Sequence, residues 1–449
     1  MTPDELQQIA DRLVSMAVPG EELEAVVAWS HDTEVRAYEG EVEHFVSSDS
    51  VGVGVRIITE GRQGLSWVGV VDEAALAGCL DEARDNARFG SPDPDAGLAE
   101  PDGVPVAPLR LFDERLAEVP TEDKIAIAIE LERRVRGGDP RIIGIESADY
   151  ADSMMSSAIA STTGIRSSSA ETSVYIGAYA LAGDDDDTTT GFGFSVGRSI
   201  EDLSVAIASA EAVERCVSLL GAKKAPSEKL TVVLHPYVTS QFLGLVAEML
   251  AGDAALRGRS PFAGRIGESI ASSGLTLFDD ATNPDAPTAS DTDGEGLACR
   301  RVPLIDAGVL SGFLHNAYTA RAMGSRSTGS AQRGDHRSAP GVGAHVVSLT
   351  PGRHSPEEVL SLVGDGFLVN DIAGLHSGVN PVSGDLSVGA EGVRIRGGER
   401  AEAIREVTIG STLQRMLGQI TAIGSDLTYY PWESAGVTMA ISDMTMSGL

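Results

Sequence analysis

Lysine is nearly missing from this chain. Only Lys124, Lys223, Lys224 and Lys229 occur in 449 residues, so arginine carries almost all the positive charge. With 66 acidic residues against 34 Lys and Arg, the formal net charge is −32. Nucleic acid and anionic membranes are held by clustered cations, so neither is expected as a direct partner. Cysteine is scarce too. Cys79, Cys216 and Cys299 are far apart and odd in number, with no CxxC, which excludes a disulfide framework or a zinc ribbon. Reduced thiols of a cytoplasmic protein fit this usage. No stretch of about 18 uncharged apolar residues could span a membrane. The start, MTPDELQQIADRL, is acidic and amphipathic rather than a basic leader, so no signal peptide is expected. HExxH and Walker A motifs are also missing. Gly52-Val53-Gly54 opens like GxGxxG, but Ile57 takes the last glycine position and the run reads as a strand.

What is present is a soluble-type composition, 42% hydrophobic, too long for one hydrophobic core. The patterning predicts an α+β fold of two unlike domains: residues 1–222 with helices and antiparallel strands, and residues 228–449, β-rich and barrel-like with few helices. In the first, apolar residues at helical spacing follow Pro3. Strands are expected at 24–29, 34–38 and 42–45, a hairpin at 51–71, a helix at 72–88 and an exposed connection at 90–108. A helix over 121–136, an antiparallel meander over 142–196 and a helix over 200–220 complete it. The acidic run 184–187 sits at a turn of the meander and reads as a solvated loop. GAKKAPS (221–227) is a credible linker. In the second half, a strand at 230–234 precedes a helix at 238–250. Helices are also expected at 356–363, capped by Ser355, and at 410–419.

Candidate chemistry is scattered. Asp335, His336 and His345 could form a metal set, but lack the short regular spacing of ligands. Cys299 with a distant histidine is a formal Cys/His pair, and reads better as a small packed residue. Asp279-Asp280 reads as a strand end and turn. The densest run is SGVNPVSGDLSVG (377–389). It packs turn formers and hydrogen-bonding side chains into one stretch, and shaped loops carry function more often than cores do.

Several runs together resemble one family, the TldD/TldE (PmbA) proteins, also called modulators of DNA gyrase. They are VRAYEGEVE (35–43), VGVRIITEGRQGLS (53–66), DGEGLACRRVPLIDAGVLSGFLHNAYTA (293–320), SRSTGSAQRG (325–334), SGVNPVSGDLSVGAEG (377–392) and EVTIGSTLQRML (406–417). The TldD branch carries HExxxH and a C-terminal cysteine around a catalytic metal; the TldE branch lacks them. Here the motif positions align with Leu243, Gly244 and Glu248, and 426–436 (DLTYYPWESAG) has no cysteine. The resemblance therefore implies the non-metal subunit of a cytoplasmic metallopeptidase acting on unfolded peptides or peptide precursors. The metal would belong to a TldD-type partner, and no cofactor is expected in this chain. A free-standing homodimeric binding or assembly protein is the alternative. Substrate or partner contact is expected from His376, Asn380, Ser383, Asp385 and Trp432. Trp432 and Tyr429-Tyr430, with Leu243 and Leu245, are expected to form an apolar plug at the lost metal position.

Overall fold

The computed structural model describes residues 1–184 and 187–449. Asp185 and Asp186 of the acidic run lie outside the described residues.

The N-terminal half is one antiparallel sheet with helices on a single face. Its elements are α1 (Pro3–Val14), β1 (Glu22–Tyr38), β2 (Glu41–Thr59), β3 (Arg62–Val68), α2 (Glu73–Phe89), α3 (Thr121–Gly138), β4 (Ile142–Ser161), β5 (Arg166–Asp184), β6 (Asp187–Gly197) and α4 (Val205–Val217). The strand order is β3-β2-β1-β4-β5-β6. Helix α1 starts cleanly because Thr2 accepts from the Glu5 amide while Glu5 reaches back to the Thr2 amide. Side chains alternate across β1, as strand geometry requires. Leu23, Ala25 and Val27 pack under α1 and α2, whereas Val26 faces the other way, toward Leu297 and Ala317 of the second half. Helices α3 and α4 cover the rest of the same helical face over Val35, Tyr150 and Ile176.

The C-terminal half is built on a closed five-stranded barrel. β7 (Glu228–Leu234) lies parallel to the strand Gly366–Ala373, which continues through Asp385–Arg396 and Glu399–Thr412. The strand Met439–Ser447 pairs with both β7 and Glu399–Thr412 and closes the ring, which removes the sheet edges. Helix α5 (Pro236–Met249) follows β7, its residues Val238, Phe242, Leu243 and Val246 buried in the largest core of the chain. No helix among the described residues is long and apolar enough to cross a membrane.

The expected α+β class with a barrel-like second half is what the structure shows, with three local differences. The short strands expected at 24–29, 34–38 and 42–45 are parts of two long ones, β1 and β2. The helix expected at 410–419 is strand as far as Thr412, because 410–412 pair with 385–387; only Leu413–Gly418 is helical. The connection after α2 is irregular but not free. Leu98 and Ala99 are buried, and Arg321 donates to the carbonyl oxygens of Asp95, Gly97 and Leu98, which straps the segment onto the second half. A buried ion triad joins the halves as well: Glu24 of β1 lies between Arg56 (2.9 Å) and Arg333 (2.6 Å).

Candidate functional site

The helix-free face of the N-terminal sheet and the loops of the second half enclose a cleft of about 610 Å³. Its floor is β4 and β5, rich in serine: Ser153, Ser157, Ser167, Ser169 and Ser173. Its roof is formed by 287–294, 331–336 and 431–433. The register of β5 matters here. β4 pairs with it from Arg166 onward, but β6 pairs with it only from Val174. Thr172 turns its amide to the β6 side, where it meets the carbonyl of Leu111. Backbone direction alternates along a strand, so Ser168 and Ala170 also turn their N–H and C=O to that side. Ser168 lies in the cleft lining, and no strand among the described residues pairs with this stretch on that side. This is an open strand edge, walled by a second domain.

Arg198 fixes the cleft's width. Its guanidinium donates to the carbonyls of Leu111 and Thr172 on one side and of Pro287 and Ala289 on the other. Near it, burial raises the Glu171 pKa; the Arg198 charge opposes this and the Asp291 carboxylate adds to it. At the roof, His345 stands between Cys299 (Nε2 to Sγ, 3.9 Å) and Asp279 (Nδ1 to Oδ2, 3.9 Å). Burial disfavours charge on this imidazole, but Asp279 and Cys299 outweigh it, and its pKa is pushed up to about 10. Burial pushes the Cys299 thiol up as well, and Cys299 is only 2% exposed. A nucleophilic cysteine needs an accessible thiolate. The fold thus brings together the Cys/His pair that sequence spacing left formal, and makes of it a packed charged contact. Asp279 holds the backbone amides of His345 and Val346, as a turn-forming strand end does. The set Asp335, His336 and His345 does not converge: Asp335 pairs with Arg337, and His336 packs edge-on against Trp67.

Helix α5 packs against the segment Trp432–Ser434, whose Glu433 lines the cleft. Pro236 starts the helix and His235 caps it, accepting from the Tyr237 amide. Ser240, Gly244 and Glu248 recur at i, i+4 and i+8 and face the segment Trp432–Ser434. Ser240 Oγ accepts from the Trp432 indole (3.1 Å), and its carbonyl accepts from Ser434 Oγ (2.7 Å). A Cβ at Gly244 would sit 3.4 Å from Ser434 Oγ, in ordinary van der Waals contact. Glu248 is exposed; surrounding protein and then the Glu433 carboxylate raise its pKa. Leu243 points elsewhere, wholly buried in the barrel core, as a residue about 140° around the helix from Glu248 must be. Leucine and glycine bring no ligating atom, and among the described residues no three His, Cys, Asp or Glu side chains are grouped to hold a metal. The donor set present does not fit a catalytic metal at this helix.

Trp432 stacks on Tyr430 (4.8 Å, 4°) and lies against Tyr237 and Phe194. Arg215 of α4 sits over Phe192 and Tyr237. This aromatic group seals the two halves above the first turn of α5. Tyr429 is not part of it and hydrogen-bonds Asn283 instead.

The run 377–389 is a self-held turn. Asn380 Oδ1 accepts from the amides of Val382 and Ser383, and Ser383 Oγ donates to Asp385. Gly384 adopts φ 78°, where a Cβ would also strike Gln414, whose amide holds the Ser383 carbonyl. His376, Asn380, Ser383 and Asp385 are exposed. The side-chain hydrogen bonds of Asn380 and Ser383 run within the loop, whereas Trp432 belongs to the α5 face. The open edge of β5 had no sequence signal except its serines, since register decides which strand ends alone.

This two-half fold is shared with solved structures, and the sequence matches models of one family along most of its length. The chain matches the PmbA/TldA metallopeptidase C-terminal domain over residues 227–448, the central domain over 114–220 and domain 1 over 23–87. It belongs to the PmbA/TldD family. It is 26% identical over 391 residues to the metalloprotease PmbA of Escherichia coli O157:H7, covering 86% of this chain and 84% of that one. It is 30% identical over 296 residues to a metalloprotease of Methanothermobacter thermautotrophicus, covering 62% of each. In fold it is similar to a Thermotoga maritima protein described as a modulator of a DNA gyrase, with TM-score 0.90 and 23% identity over 98% of this chain and 100% of that one. TldE from Thermococcus kodakarensis gives TM-score 0.87 at 21% identity, covering 99% of each.

Proposed function

We propose that this chain is the non-metal subunit of a cytoplasmic two-chain metallopeptidase. A TldD-type chain supplies the metal, and this chain holds an extended, unfolded peptide in its cleft. The observation that carries the reading is a pairing of features: a cleft with an open strand edge beside a helix whose ligand positions are Leu243 and Gly244. An extended chain satisfies its own amides by adding to such an edge, whatever its sequence, because the bonds are made by main chain. The serine floor accepts varied side chains without large apolar or charged demands. Arg198 is saturated by carbonyls of both halves and holds the slot at constant width. His345 lines the roof between Cys299 and Asp279.

Ala170→Pro tests the peptide slot. Proline removes an amide on the side of β5 that no strand pairs and leaves the β4 pairing of the opposite amides untouched. Cross-linking of an unstructured peptide carrying a photoreactive group is expected to label β5 in the wild-type complex and to vanish in the variant. Equal labelling of the two proteins, or labelling confined to other elements, would refute the slot.

A further inference from the structure

The N-terminal sheet has a second open edge, quite unlike the first. β3 pairs with β2 only over Val53–Thr59, so the first half of β2 has β1 on one side and, among the described residues, no strand on the other. From Glu41 to Ser50 every residue but Val46 is exposed. A long, flat, unprotected edge is a template for another strand, and stable proteins normally shorten, bulge or cover one. Here one register irregularity, at Glu43, interrupts it, yet it stays long, and Val42 and Phe45, with Tyr38 of β1 beside them, are each between 41% and 43% exposed. It is also strongly acidic. Glu34, Glu39, Glu41, Glu43 and Asp49 lie on this arm, while its cations are engaged: Arg36 holds Asp149 and His31 faces Asp49.

The charge pattern argues against a second copy as the occupant. Antiparallel self-pairing about Phe45 would set Glu41 against Asp49; about Val46 it would set Glu43 against Asp49. Like charges directly opposite are destabilising, and each copy carries −32 overall. We propose that residues 41–51 of β2 dock an edge strand of a different chain, one bearing lysine or arginine, so that the sheet continues from one subunit into the next. The inference rests on the two-chain reading above and names the surface that joins the chains. The cleft face of the arm, with Ser30 bonded to Ser50 and Ser153 to Asp32, is continuous with the cleft floor through Ala28. A strand added there would extend the floor sideways.

The test is titration of the full-length chain with the metal-bearing family member from the same genome, read by calorimetry and light scattering at low and high salt. Phe45→Lys and the double change Glu41→Lys/Glu43→Lys are the variants; all three sites are exposed, and melting confirms that they fold. Wild type is expected to bind, more weakly as salt rises, and each variant at least about tenfold more weakly, since misplaced like charge suppresses a partner. Binding by both variants equal to wild type overturns the docking edge but leaves the two-chain reading standing. No binding by wild type overturns both. A wild-type homodimer that Phe45→Lys dissolves overturns the basic partner in favour of a second copy.

Discussion

Glu295 gives the sharpest stability test of this architecture. It is 1% exposed at the junction of the halves, and its Oε2 accepts from the Ala317 amide. Burial first, then the Asp293 carboxylate, raises its pKa from the ordinary 4.5 to about 7, with Arg56 opposing. The surrounding charges are Asp293 on its own turn, Arg56 and Glu24 from the sheet, and Arg333 bonded to Glu24. In the unfolded chain the carboxyl loses its proton near pH 4.5; in the folded chain it keeps it until about 7. Folding is therefore favoured by this group at low pH, and the advantage disappears as pH rises through that window. The shift corresponds to about 3 kcal/mol, at 1.36 kcal/mol per pKa unit. Glu295→Gln keeps the acceptor for Ala317 and removes the ionisation. The variant should match wild type at pH 4.5 and melt roughly 5 °C or more above it at pH 8. Calorimetric melts across that range provide the measurement. Parallel curves, with the same difference at every pH, would show that Glu295 does not hold a buried proton.

Arg333→Ala leaves Glu24 buried with only Arg56, and should lower stability by on the order of 3 kcal/mol in denaturant titrations; a change under about 0.5 kcal/mol, the size of an ordinary surface effect, would refute the triad's role. Trp432→Ala removes the ring that stacks on Tyr430 and caps Ser240, and should lower the melting temperature by an amount equivalent to about 2 kcal/mol, as partly buried aromatics do. Unchanged melting would mean that the aromatic seal is not structural. Asn380→Ala breaks two turn-closing hydrogen bonds, costs about 1 kcal/mol and speeds amide exchange at Val382 and Ser383, while peptide cleavage by the complex stays the same. A loss of cleavage without a loss of stability would restore 377–389 as a contact loop.

Much of the fold could be read from periodicity. The cap at Ser355, the turn at Glu60-Gly61 and the strand leading into α5 all stand where local chemistry places them. The long hairpin β1–β2 was less legible, because residues such as Ser47, Ser48 and Ser50 carry no apolar alternation on a stretch of β2 that is exposed almost throughout. The segment 410–412 reads as helix because Ile409, Leu413, Met416 and Leu417 repeat at helical spacing, and only the partner strand at 385–387 overrides it. At α5 the sequence offered only the aligned positions Leu243, Gly244 and Glu248, whose reading rests on the family resemblance. The site's positive features depend on register and on long-range contact: the β5 edge, the four-carbonyl grip of Arg198, and the meeting of Cys299 with His345 across 46 residues. The run 377–389 drew notice for its turn chemistry, and that chemistry is directed inward.

The central claim is that this chain contributes a substrate slot and no catalytic metal. It is tested most directly by measuring cleavage of an unstructured peptide with this chain alone, with a TldD-type partner alone and with both, each under titration with divalent metal. The account predicts no cleavage by this chain at any metal concentration, and cleavage by the pair that chelator abolishes and Ala170→Pro impairs. Metal-dependent cleavage by this chain alone would contradict it.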